Sequence, residues 1–209
     1  MKNTFYFTIA LLFVFNITSC TKDDPTPELD QEEVGGAKIT FTEVEREAHD
    51  DHYHYKDIDD PETETIEFSG TQMLPPVGAH VHLDKGKTYR FQLVATDFAA
   101  RETQQTFVEK ADNHFVFILG IPEGAAEIVY KDKKEDGTNV SVGVTGYLTV
   151  TKETESFTLR YIMRHLNNGV KANIDPATDW SNTDFTKFTG SNDLDLKFEA
   201  HFVDGDHGH

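Results

Sequence analysis

The chain has 209 residues, with 37 Asp and Glu against 19 Lys and Arg, 10 His and a single Cys. A formal net charge of −18 argues against nucleic-acid binding, which needs a basic patch, and one Cys excludes an internal disulfide framework or a Cys-rich zinc module. An apolar fraction of 37% is low but sufficient for the core of one domain.

At the start, Lys2 precedes an almost unbroken apolar run from Phe5 to Ile17. The run is too short to span a bilayer comfortably and has the length of a signal-peptide core. Ile17-Thr18-Ser19-Cys20 then resembles a bacterial lipobox. That resemblance implies that residues 1–19 are a cleaved lipoprotein signal peptide and that Cys20 is lipidated, an anchor strengthened by about 0.8 kcal/mol per buried methylene. The following Thr21-Lys22-Asp23-Asp24 resembles the acidic export tag of surface lipoproteins in the Bacteroidota. It implies an outer-membrane lipoprotein at the cell surface; without that export the protein faces the periplasm. Residues 20–36 continue with Pro25, Pro27, several carboxylates and Gly35-Gly36, the composition of a solvated tether.

From Ala37 onward the hydropathy period is two. Lys38–Glu45 alternates polar and apolar side chains as a half-buried strand does. Similar stretches follow at Thr65–Ser69, Lys87–Thr96, His114–Leu119, Glu127–Lys131, Thr145–Thr151, Ser156–His165 and Asp193–Phe202. Between them stand turn signals: Pro75-Pro76, Asp84-Lys85-Gly86, Glu135-Asp136-Gly137 and Asn167-Asn168-Gly169. Only Arg101–Ala111 departs from the period, and it predicts one short helical turn. About eight short strands with this punctuation predict an all-β fold, a single antiparallel β-sandwich over residues 37–205, with a His-containing tail at 206–209.

The runs Gly86-Lys87-Thr88-Tyr89-Arg90-Phe91, Phe107-Val108-Glu109-Lys110-Ala111, Gly146-Tyr147-Leu148-Thr149-Val150 and Leu194-Asp195-Leu196-Lys197-Phe198 resemble a family of uncharacterised Bacteroidota lipoproteins. The resemblance implies an immunoglobulin-like sandwich and a partner among TonB-dependent outer-membrane receptors. It brings no site residues with it.

No Gly-x-Ser-x-Gly elbow, phosphate-binding loop, dinucleotide fingerprint or His-Glu-x-x-His motif occurs, so nothing points to an enzyme. Histidine placement is the distinctive signal. Eight of the ten fall in three windows: His49, His52 and His54; His80 and His82; His201, His207 and His209. Neutral imidazole ligates zinc and copper well, and carboxylates such as Asp50 and Asp51 can complete the shell. In an extended segment His52 and His54 project to one side, about 7 Å apart along the strand, and so do His80 and His82. The first window is expected in a loop between strands. Such sites release metal below about pH 6, where imidazole protonates. Against this stands the plainer alternative that His-rich loops and tails are merely solvated.

His114 and His165 lie inside strand patterns and are expected to be structural imidazoles bonded to backbone. Trp180, Phe185 and Phe188 are expected to pin the irregular Asn173–Asn192 segment to the core. Calcium is the weaker candidate ion, with oxygen donors at Asp132, Glu135 and Asp136 and at Asp57, Asp59 and Asp60, neither group spaced as an EF-hand. The expected function is capture of a transition metal, zinc first and copper next, through His/Asp clusters for a partner receptor. The alternative is a non-metal accessory lipoprotein that packs on a TonB-dependent receptor or binds its organic cargo.

Overall fold

The structure, a computed structural model, describes residues 34–205. The expected signal peptide, Cys20, most of the expected tether, and His207 and His209 lie outside the described residues.

β1 (Gly36–His49) organises the first sheet. Its alternation buries Ala37, Ile39, Phe41 and Val44, as the period of two predicts. The strand is long enough to serve two neighbours on one edge: Gly36–Thr42 pairs with β3 (Thr63–Ser69), and Val44–His49 pairs with β2 (His52–Asp57). On its other edge it pairs with β5 (Thr88–Thr96) only as far as Val44. The sheet continues through β10 (Thr145–Val150) to β7 (Ala126–Tyr130), all antiparallel. The second sheet runs β4 (His80–Asp84), β12 (Gly190–Val203), β11 (Phe157–Leu166), β6 (His114–Leu119). A small ribbon, β8 (Asp132–Lys133) with β9 (Asn139–Val140), and one helix, α1 (Gln104–Glu109), complete the regular elements together with three short 3-10 turns.

All eight expected strands are present, and the helix falls inside the predicted stretch. Three differences stand out. The His49–Tyr55 window is not a loop: the back half of β1 supplies a hydrogen-bonding edge, and residues 52–57 pair with it as a hairpin. His80 and His82 lie within a strand, β4. That strand runs parallel to β12, so the sandwich is not wholly antiparallel. The connection from β3 crosses from one sheet to the other through Pro75-Pro76, which delivers β4 in the same direction as β12.

The two inner faces meet in an aromatic core. Phe41 packs against Phe91 at 6.4 Å and Phe198 at 6.2 Å, and Phe68 reaches Phe198 at 5.9 Å. Burying each such ring stabilises the fold by about 1.5–3 kcal/mol. Gly146 is required by this packing, because a Cβ there would sit 2.4 Å from Cζ of Phe91. On the outer side of the second sheet, the segment between β11 and β12 is laid down by Phe188, which stacks on Phe117 at 5.7 Å, and by Phe185, which meets the same ring tilted at 5.6 Å, with Trp180 also packed against the core. This is the pinning role their aromatic character suggests. Arg164 clamps the return of the segment, donating to the carbonyl oxygens of Phe188 and Gly190 and to Oδ1 of Asn192.

Candidate metal centre

Beyond Val44, β1 has no partner on the β5 side, and the β1–β2 hairpin folds over the outer face of its own sheet. One face of the hairpin is held down: Tyr55 stacks on Tyr147 at 3.7 Å and 6°, and Arg46 bonds Glu127 at 2.8 Å while its guanidinium covers Tyr53 at 3.6 Å. The alternation of a strand then turns the opposite face to solvent. On that face lie His49, His52 and His54.

Register brings the three together. His49 and His52 stand opposite each other across a two-residue turn made by Asp50 and Asp51. Asp50 has φ of 51°, a left-handed conformation that Asp tolerates in such turns. Two residues along β2, His54 falls on the same side. Ring centroids lie 5.5 Å (His49–His52), 5.2 Å (His49–His54) and 4.8 Å (His52–His54) apart. One nitrogen from each falls within 4.8 Å of the other two, and Nε2 of His52 and Nε2 of His54 are 3.0 Å apart. Ligands about 2.0–2.1 Å from a tetrahedral zinc stand roughly 3.3 Å from one another, so small rotamer adjustments suffice to close the shell.

Asp50 and Asp51 are not part of this convergent set. Oδ1 of Asp51 lies 3.1 Å from Nδ1 of His52, and Oδ2 of Asp50 lies 3.7 Å from Nδ1 of His49. At His52 the Asp51 carboxylate can accept the Nδ1–H and leave Nε2 as the lone-pair donor, the usual outer-shell arrangement of a metal-bound histidine, whereas Asp50 stands beyond hydrogen-bond reach of His49.

The other two windows meet partly. His82 and His201 stand opposite each other in the parallel β4–β12 register, with His80 beside them; ring centroids are 4.7, 5.1 and 5.8 Å apart. Here nitrogen atoms are already engaged. Nδ1 of His80 lies 2.8 Å from the Gly78 carbonyl oxygen, and Nε2 of His201 lies 2.8 Å from Oε1 of Glu199, which that contact holds below its ordinary carboxyl pKa. This cluster is not among the groups of the described residues whose ligand atoms converge. The hairpin and edge-strand clusters therefore stand on different sheets and form no common site.

The calcium candidates do not assemble either. Asp132 is buried, its two oxygens accepting the backbone N–H groups of Val142, Gly143 and Thr145 at 2.7 Å each. Burial raises its pKa while those bonds and the Lys171 charge oppose the rise. Asp136 caps the N–H of Thr138, and Asp57 pairs with Arg90.

Sequence reading missed one group. His114 and His165 stand opposite each other in the β6–β11 register, and Asp193 joins them in the interior. His114 does bond backbone, with Nδ1 3.0 Å from the Lys110 carbonyl oxygen, yet its other nitrogen points to the carboxylate. Nearby, Lys171 donates to the carbonyl oxygens of His114 at 2.5 Å and Ser141 at 2.6 Å; burial lowers its pKa to about 7 against the pull of Asp132 and Asp112.

Protein-family models, curated proteins and solved structures yield no match to this chain.

Proposed function

We propose that this chain is a lipid-anchored binding protein that captures a divalent transition metal, zinc first and copper next, on the solvent face of its β1–β2 hairpin. The observation that carries the reading is the convergence of His49, His52 and His54 within 4.8 Å on a hairpin whose other face is fastened to the sheet. Three exposed imidazoles leave a coordination position open for water or for an incoming acceptor ligand, which suits capture and release better than permanent retention. The acidic surface favours approach of cations, an effect that salt screens beyond about 10 Å. Anchoring at Cys20 in the outer membrane, facing outward or to the periplasm, and handover to a TonB-dependent receptor belong to the same proposal and rest on the sequence resemblances.

The test is calorimetric titration of the full chain, purified without a polyhistidine tag, with zinc and copper at neutral pH. Near-stoichiometric binding is expected, and it should be lost in His49→Ala/His52→Ala/His54→Ala while circular dichroism stays unchanged. Equal affinity in that variant would sink this choice of site.

A second reading is favoured by the groove under the hairpin. It has a volume of about 490 Å³ and is lined by Arg46, Tyr53, Val129, Lys131, Pro176 and Ala177. Tyr53 and Val129 are exposed there, the surface that an accessory lipoprotein would offer to a receptor or to organic cargo. Co-purification of a receptor that persists in chelator would favour this reading over metal capture.

A further inference from the structure

Inside the sandwich, the strand pairing of β11 and β12 slips by one residue: Arg164 faces Asn192 and Met163 faces Leu194, so Asp193 has no partner across the ladder. Such a slip re-aims a side chain. Here it turns a carboxylate inward, where its side chain has no solvent exposure at all, against His114 with none and His165 with 8%. An unpaired carboxylate in that position is costly unless something positive meets it.

The distances between these groups are those of ligands. Oδ2 of Asp193 is 3.2 Å from Nε2 of His114 and 3.8 Å from Nδ1 of His165, close to the roughly 3.3 Å edge of a tetrahedral zinc shell. All three ligand atoms lie within 4.8 Å of one another. In spite of the 3.2 Å approach, neither Nε2 of His114 nor either oxygen of Asp193 makes a hydrogen bond. The two groups do not lie along an N–H···O line. The Lys110 carbonyl can only accept, so Nδ1 of His114 carries a hydrogen and Nε2 is the nitrogen turned toward the carboxylate. A backbone carbonyl behind the ring is the usual second support of a metal-bound histidine. Ser191, opposite His165 in the β11–β12 register, adds a buried hydroxyl with no hydrogen-bond partner beside the group.

We infer that His114, His165 and Asp193 form a second metal site, distinct from the hairpin, that holds a zinc ion permanently, with the Ser191 hydroxyl or a water in the fourth position. The ion ties β6, β11 and β12 together at the point where Leu166 and Gly190 close the segment between β11 and β12. It is a clamp, with no exposed face for exchange.

The test uses the full untagged chain carrying His49→Ala/His52→Ala/His54→Ala, so that the hairpin contributes nothing and failure of the capture reading leaves the result untouched. After growth with zinc and gel filtration in chelator, elemental analysis should find about one zinc per chain. Stripping the ion in denaturant and refolding without metal should lower the thermal midpoint, and added zinc should restore it. Cobalt refolded into the site should show the intense visible bands of a tetrahedral centre. Asp193→Asn, which keeps the side-chain volume, should abolish retention and the response of the midpoint to zinc. If that variant does not fold, zinc content and the midpoint response of its parent decide alone. A parent chain without zinc, both as purified and after refolding with zinc, would overturn the site and leave a buried His–Asp ion pair in its place. Undiminished zinc in folded Asp193→Asn would overturn the ligand assignment.

Discussion

Replacing Asp132 tests how the two sheets are held in register beside the buried site. Its carboxylate accepts three backbone N–H groups, each at 2.7 Å, from a stretch that bridges both sheets. Within that stretch the Val142 carbonyl takes the N–H of Val116 on β6, the Val144 carbonyl takes the N–H of Leu93 on β5, and the Gly143 carbonyl takes the Tyr161 hydroxyl. Asp132→Ala strands three amide donors around a side chain that is 2% exposed in the wild type. At about 1–3 kcal/mol for each buried donor left unpaired, the loss is about 3–9 kcal/mol, against a total stability of about 5–15 kcal/mol for a domain. Asp132→Asn keeps one oxygen for Val142 and Gly143 and turns an NH2 group toward the N–H of Thr145, so its cost is about 1–3 kcal/mol. Urea unfolding followed by fluorescence of Trp180, the single tryptophan, measures both. The expected order is wild type, then Asn, then Ala, with Ala close to unfolded at room temperature. An Ala variant within about 1 kcal/mol of the wild type, with an unchanged denaturant slope, would refute the assignment of this carboxylate as the bridge.

Further outcomes follow from other contacts. Gly146→Ala places a methyl 2.4 Å from Cζ of Phe91 and 2.9 Å from the Val129 carbonyl oxygen, and overpacking should cost about 1–3 kcal/mol in thermal unfolding; a neutral substitution would show that the Phe91 ring can move aside within the sheet. Tyr55→Ala removes the stack on Tyr147, worth about 0.5–1.5 kcal/mol, and should speed hydrogen exchange in residues 46–56 while core amides stay protected. Uniform exchange in variant and wild type would mean that the stack does not fasten the hairpin. Asp195 accepts two bonds from Arg160, at 2.6 and 2.7 Å, and the pairing holds its carboxyl below the ordinary range. A depressed folded pKa adds stability above the unfolded value of about 3.9 and loses it as pH falls through the folded value. The pair is about one-third exposed, so Asp195→Asn should cost only about 0.5–1 kcal/mol at pH 7, a gap that closes in acid; a gap constant down to low pH would assign the loss to packing instead.

Most of the architecture was legible along the chain because burial in a sandwich repeats every second residue. Ile39 and Phe41 on β1, Tyr89, Phe91 and Leu93 on β5, and Leu194, Leu196 and Phe198 on β12 announce their faces locally, and all are buried. The hairpin histidines were legible in part: the spacing of His52 and His54 places them on one side of any extended segment. His49 joins them only through the register of β1 with β2, a strand whose sequence His52-Tyr53-His54-Tyr55-Lys56-Asp57 carries no aliphatic residue because neither face enters the core. β4 does alternate, with Val81 and Leu83 buried between His80, His82 and Asp84, but its parallel place beside β12 depends on a crossover between sheets.

The buried group lay furthest from view. Asp193 sits in a run, Ser191-Asn192-Asp193-Leu194-Asp195, where a strand's alternation sends odd-numbered residues outward, as it does Asp195. One unpaired residue in the β11–β12 ladder reverses that direction for Asp193 and leaves Ser191 opposite His165. Histidines 114 and 165 are 51 positions apart in the chain and meet through cross-strand pairing. Period and composition are properties of neighbours along the backbone, so they specify faces and strands. Register, slips in register and crossovers arise from hydrogen bonding between distant segments, and those decide which ligands share a point in space.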